Sequence, residues 1–115
     1  MTTPTIDLPT FEALQQTAGA EFVGELVDTF LTEAPLMLDE LREAFAAGNT
    51  ERFRRAAHSL KSNSNTFGAL QLGALARELE LGGIAKATAN DGALLTALNA
   101  ESSRAAAALD ELRHA

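Results

Sequence analysis

The 115-residue chain contains no cysteine, no tryptophan and no tyrosine. Disulfides, thiolate metal sites and a cysteine nucleophile are therefore excluded, and the lack of thiols fits a reducing cytoplasm. Phenylalanine supplies all of the aromatic content, which is only 5%. No apolar run approaches the roughly 20 residues of a membrane span. The opening "MTTPTIDLPT" has neither the basic start nor the apolar stretch of a signal peptide. Positive charge is in deficit, with nine Lys and Arg against sixteen Asp and Glu for a net charge of −7. That balance argues against nucleic acid as a partner, because phosphate binding needs a cationic face, and it disfavours an anionic membrane surface. What is present is 46% hydrophobic residues, dominated by Leu and Ala. Such a composition implies a soluble, cytoplasmic, helical chain with a single core.

Residues 1–9 are polar, carry two of the three prolines and read as an extended lead-in. Residues 10–115 read as a single domain. Thr10 can cap a short helix over "FEALQQTA", which Gly19 ends. From Glu21 to about Ala47, apolar residues from Val23 to Phe45 recur at steps of three and four, the mark of a helix with one buried face. Pro35 lies inside it and should kink a continuous helix rather than divide it. Gly48–Asn49 is the stop, and Thr50 can cap the next helix, which runs to about Thr66. Gly68 marks a tight joint. Leu72, Leu75 and Leu79 share a face of the following helix, Gly82–Gly83 closes it, and a polar loop around "ATANDG" leads into a last helix of about 92–113. No β-type alternation and no internal repeat is visible. The expected fold is all-α, an antiparallel up-down four-helix bundle with the short first helix as a lid.

One stretch stands out from this scaffold: "RRAAHSLKSNSNTFGA", residues 54–69. On a wheel of about 100° per residue, Phe53, Ala57, Leu60, Ser64 and Phe67 form the buried stripe. His58 falls about 140° from Phe53, on the solvent side, and Lys61, Arg54, Asn65, Ser62 and Arg55 lie on the same broad flank. A core histidine is thereby disfavoured, leaving an idle surface residue as the plain alternative. The surroundings count against idleness. Arg52, Arg54, Arg55 and Lys61 are four of the nine cations, gathered in an otherwise acidic chain. Nearby cations favour the neutral, nucleophilic imidazole and would stabilise a dianion placed on it. Ordinary pairing with Glu51 is an alternative for Arg54 or Arg55. The Ser/Asn run after His58 leaves a low rim for a bulky partner, although such residues also suit a fraying helix end.

With those residues in view, the chain resembles the histidine-containing phosphotransfer (HPt) domains of bacterial phosphorelays. The pattern His-x-Leu-Lys-Gly-Ser-Ser/Ala, three further positions, then Gly-Ala, is matched by His58, Leu60, Lys61, Ser64, Gly68 and Ala69. "FLTEAPLMLDELREAFAAGN" and "LARELE" are similar to the flanking helices of the family. The resemblance implies a phosphocarrier rather than an enzyme. His58 would take a phosphoryl group, usually on Nε2, from an aspartate of a receiver domain and pass it to another. Lys61 would steady the phosphoryl oxygens, with Arg54, Arg55, Ser62 and Asn65 as further candidates, while Ser64 and Gly68 would serve helix packing. Partners would be response-regulator receivers or a hybrid histidine kinase. No resident cofactor or metal is expected, since the receiver would supply Mg²⁺. Ser62 departs from the family's usual glycine but is still small. Some relatives carry a glutamine or arginine near the phosphate on the neighbouring helix, and here Arg77 and Glu80 are both open candidates.

Other classes fit less well. A general base needs a second positioned group and a concave site, and a histidine outside a helix has neither. Glu111 and His114 form one Glu-x-x-His pair, whereas a di-iron bundle needs two such pairs and two more glutamates. His114 reads as an idle terminal residue. Nothing resembles a nucleotide-binding glycine lid, and 115 residues cannot hold both a bundle and an ATP-binding domain, which argues against a kinase. A helical interaction module that binds receivers without being phosphorylated is the alternative reading. No second apolar face is evident, which favours a monomer.

Overall fold

The computed structural model describes residues 5–113, all of the regular structure being helical. The elements are α1 (Leu8–Ala18), α2 (Ala20–Ala47), α3 (Thr50–Thr66) and α4 (Leu70–Arg113). At 1.5 Å per residue an unbroken helix of α4's length would span about 66 Å. The longest extent of the molecule is only 41 Å. The difference is taken up by two breaks, at Gly83 and at Ala89–Gly92, where the backbone leaves helical geometry. Two arms, 70–82 and 93–113, result. With α2 and α3 they form the four-helix bundle expected from the periodicity, and both breaks fall where "GG" and "ATANDG" marked them.

The core consists of aliphatic and phenyl side chains from every helix: Phe11, Val23, Val27, Leu41, Phe53, Leu60, Leu72, Leu79, Leu98 and Leu109 are all but inaccessible. Phe30 and Phe67 meet with ring centroids 5.4 Å apart, tying α2 to the end of α3. Helix α2 runs through Pro35 without division, with the ring on its exposed side. Its end is set by Gly48, whose N–H donates to the Ala44 and Phe45 carbonyls.

Two caps differ from the sequence expectation. The N-cap of α1 is Asp7 and not Thr10: the Asp7 carboxylate accepts the Thr10 N–H at 3.2 Å and also its hydroxyl, so the helix starts at Leu8. Likewise α3 is capped by Asn49 and not Thr50, through Arg52 N–H to Asn49 Oδ1 at 3.1 Å. In each case an Asx side chain just upstream outcompetes the threonine for the free N–H groups. The lead-in is correspondingly shorter. Of it, residues 1–4 lie outside the described residues, while Ile6 is buried and the Asp7 N–H donates to the Gly68 carbonyl at 2.8 Å.

That contact revises the role expected of Gly68. It sits at φ +86 in the joint between α3 and α4, and a Cβ there would lie 2.7 Å from the Asp7 carbonyl oxygen. It therefore makes room for the lead-in backbone and for the first turn of α1, where Thr10 Cβ would lie 3.2 Å away. Close approach of α3 to α4 occurs at Gly73, whose missing side chain is replaced by the Asn65 amide. Ser64 is wholly buried as expected, its hydroxyl donating to the Leu60 carbonyl at 2.6 Å.

Gly68→Ala should destabilise the protein by about 1–3 kcal/mol from overpacking, beyond the positive-φ cost. Gly48→Ala, at φ +66 with open space around it, should show the positive-φ cost alone. Urea midpoints of the two variants measure the difference.

Candidate functional site

The apolar stripe of α3 turns Phe53, Ala57, Leu60 and Ser64 inward, which leaves His58 on the outside with 56% of its side chain exposed. Lys61 lies one turn further on the same flank, where residues three apart are neighbours. Between them, from the first arm of α4, comes Glu80. The His58 Nδ1–H donates to Glu80 Oε2 at 2.7 Å, and Lys61 Nζ lies 2.8 Å from Glu80 Oε1. Each carboxylate oxygen thus holds one of the two residues singled out by the motif. Glu80 is only 13% exposed, so its carboxylate is held by the α3–α4 seam while the His58 ring remains open to solvent.

The electrostatics settle which ring nitrogen is free. The Glu80 carboxyl is held below the usual carboxylate range, first by its hydrogen bond with Lys61 and further by His58, against an opposing effect of burial. An ionised carboxylate can only accept hydrogen bonds. The neutral imidazole therefore carries its proton on Nδ1, and the lone pair of Nε2 is free to act as a nucleophile.

The helix register makes this arrangement possible. His58 faces Glu80, and Asn65, seven residues later on α3, covers Gly73, seven residues earlier on α4. Asn65 is thereby directed to the helix seam about 10 Å along α3 from His58, and the expectation that it helps to hold a phosphoryl group is not met by its position. Ser62 is exposed beside His58 and leaves the rim low.

The cationic island is more compensated than its composition implies. Arg52 forms a two-pronged pair with Glu40 at 2.7 and 2.8 Å and reaches Glu43 at 3.5 Å. Arg54 pairs with Glu51 at 3.0 Å, as its alternative reading had it. Arg55, one turn before His58, makes no close ion pair among the described residues, although its charge acts at longer range on the Glu40 carboxylate with which it lines the α2–α3 groove. Since Glu80 touches the ring, the charge nearest the imidazole is negative, and the purely cationic setting expected from the sequence is corrected accordingly. Of the two open candidates on α4, Glu80 meets His58, whereas Arg77 is exposed and makes no contact with the ring. Choosing between them required the α3–α4 register, which no local pattern encodes. A shallow groove between α2 and α3, walled by Leu36, Met37, Ala56 and Ser59, opens on the other side of the histidine's helix, and Leu36 is 57% exposed there.

Among the described residues no cluster of His, Cys, Asp or Glu could hold a metal ion, and no helix is long and apolar enough to cross a membrane. His114, and with it the Glu111–His114 pair, lies outside the described residues.

Because the folded-state pKa of Glu80 is lowered, its contribution to stability is present above the ordinary carboxylate value of 4.5 and is lost as pH falls through the lowered one. The stability advantage of wild type over Glu80→Gln in urea unfolding should therefore be present at neutral pH and shrink as pH is lowered below the ordinary carboxylate value.

Residues 25–115 match the family model of the Hpt domain. Over 98% of this chain and 97% of the other, the structure superposes with a TM-score of 0.86 on the crystal structure of histidine-containing phosphotransfer protein B (HptB) from Pseudomonas aeruginosa PAO1, at 26% sequence identity. No curated protein matches the sequence. An exposed histidine in the family motif, the four-helix bundle that presents it and the family match over most of the length agree: the chain belongs to the Hpt domain family.

Proposed function

We propose that the protein is a phosphocarrier in a two-component phosphorelay, with His58 as the phosphorylated residue. The observation that carries this reading is the pairing of an exposed imidazole, tied at Nδ1 to Glu80, with an ammonium group on the same carboxylate. In the forward step the Nε2 lone pair attacks phosphorus in the aspartyl phosphate of a receiver domain. The bond between phosphorus and the aspartate oxygen breaks, and the aspartate regains its carboxylate. Transfer to a second receiver is the same step in reverse. Lys61 neutralises charge on the phosphoryl oxygens, and Arg55 adds long-range attraction. Ser62 leaves room for the approaching domain. The receiver supplies Mg²⁺ and most of the catalytic groups, so this chain has no kinase chemistry of its own.

The partner, a receiver domain of a response regulator or of a hybrid histidine kinase, would dock around His58 and use the α2–α3 groove with Leu36 and Met37. Partners must exchange, which calls for a modest and transient interface of less than about 1,200 Å². We take the working form to be a cytoplasmic monomer that binds neither nucleic acid nor membrane.

Incubation with a phosphorylated receiver domain should give acid-labile, alkali-stable label that is absent from His58→Gln. Lys61→Ala should slow labelling by about 10- to 100-fold, the equivalent of losing one hydrogen bond to a charged group. Absence of label on wild type from a panel of receivers would favour an interaction module without phosphotransfer.

A further inference from the structure

The contact between Glu80 and Nδ1 has a consequence for the phosphorylated ring as well as for the free one. When the neutral imidazole attacks through Nε2, its Nδ1 proton stays in place and the ring becomes an imidazolium carrying a phosphoryl group. In that state Nδ1–H faces an ionised carboxylate that is itself fixed by Lys61 and largely shielded from solvent. A carboxylate so placed favours the protonated ring, because opposite charges in contact stabilise each other. The protonation state matters for the onward step. If Nδ1 keeps its proton, cleavage of the bond between phosphorus and Nε2 sends the electron pair to Nε2 and releases a neutral imidazole. If the proton has been lost, the same cleavage must release an imidazolate, a far poorer leaving group.

We propose that Glu80 is a positioning residue for phosphoryl transfer out of His58, holding the Nδ1 proton in place so that the phosphorylated ring remains ready to leave as neutral imidazole. The inference rests on the phosphocarrier reading. The other charged groups on the neighbouring turns are Lys61, Arg54 and Arg55 on α3 and Arg77, one turn before Glu80 on α4, while Glu40 of α2 lines the groove beside Arg55. The cations oppose a ring proton, and Arg54 is compensated by Glu51. Glu80 is the anion in hydrogen-bond contact with Nδ1, so removing it leaves the ring proton facing the cations alone. The same carboxylate holds Lys61 beside the ring through its other oxygen, and that second contact accounts for why a Glu suits this position better than a neutral acceptor.

The test compares wild type, Glu80→Gln and Glu80→Met, each phosphorylated by a receiver domain, with folding checked by circular dichroism. Transfer from phosphorylated His58 to a second receiver is followed against pH. Wild type should transfer at a nearly constant rate across the neutral range. Glu80→Met should transfer about 100-fold more slowly at the upper end of that range, which is what one positioned proton contributes, and its rate should recover as pH falls. Glu80→Gln, which keeps an acceptor but not the charge, should fall between the two. A merely structural role would slow Glu80→Met equally at every pH, and that result, or a profile matching wild type, would overturn the proposal. Failure of wild type to accept a phosphoryl group at all would instead overturn the phosphocarrier reading.

Discussion

The carboxylate of Glu80, shared between an imidazole and an ammonium, is the contact on which the site depends, and it is a product of helix register. His58 and Lys61 come from α3, whereas Glu80 comes from the first arm of α4. Sliding one helix by a single turn, about 5.4 Å, would separate them. The joint at Phe67–Ala69 prevents this. Phe67 and Ala69 are buried, Gly68 admits the backbone of Asp7, and one turn into α4 the Asn65 amide fills the gap over Gly73. The lead-in, capped helix, joint and seam therefore act on the chemistry through one variable, the relative position of two antiparallel helices.

Charge around the histidine is organised by the same packing. A count of cations near His58 implies a strongly positive patch, yet Arg52 is spent on Glu40 and Glu43, Arg54 on Glu51, and Lys61 on Glu80. Arg52 and its partners join α2 to α3 and belong to the scaffold. The exposed pairs are worth little individually, because water screens them. Glu80 differs in being mostly shielded, and it is the anion whose position decides what the imidazole can do. Under the proposed phosphocarrier reading, one negative and two positive groups around an open ring suit repeated gain and loss of a phosphoryl group, since neither state is stabilised without opposition.

Much of this was legible in the residues. The stripe through Phe53, Ala57, Leu60 and Ser64 placed His58 outside before any coordinates, because helical periodicity is local and strong. The breaks at Gly83 and Ala89–Gly92 were marked by glycine and polar runs, although α4 folds back with less loop than the pattern suggested. Caps were displaced by one to three residues, since Asp7 and Asn49 compete with the threonines that follow them. Three features were not legible: the choice of Glu80 over Arg77, the diversion of Asn65 to the helix seam, and the role of Gly68 as a seat for residue 7. Each depends on contacts between segments far apart in the chain or at a joint, where tertiary packing and not local propensity decides.

The central claim is that His58 reacts at Nε2 because Nδ1 is committed to Glu80. Phosphorus–nitrogen coupling in the ¹⁵N-labelled protein, after phosphorylation by a receiver domain, identifies the bonded atom directly. The account predicts a single phosphorylated residue, His58, with the phosphoryl group on Nε2 and a proton retained on Nδ1. A phosphoryl group on Nδ1, or on any residue other than His58, would contradict it.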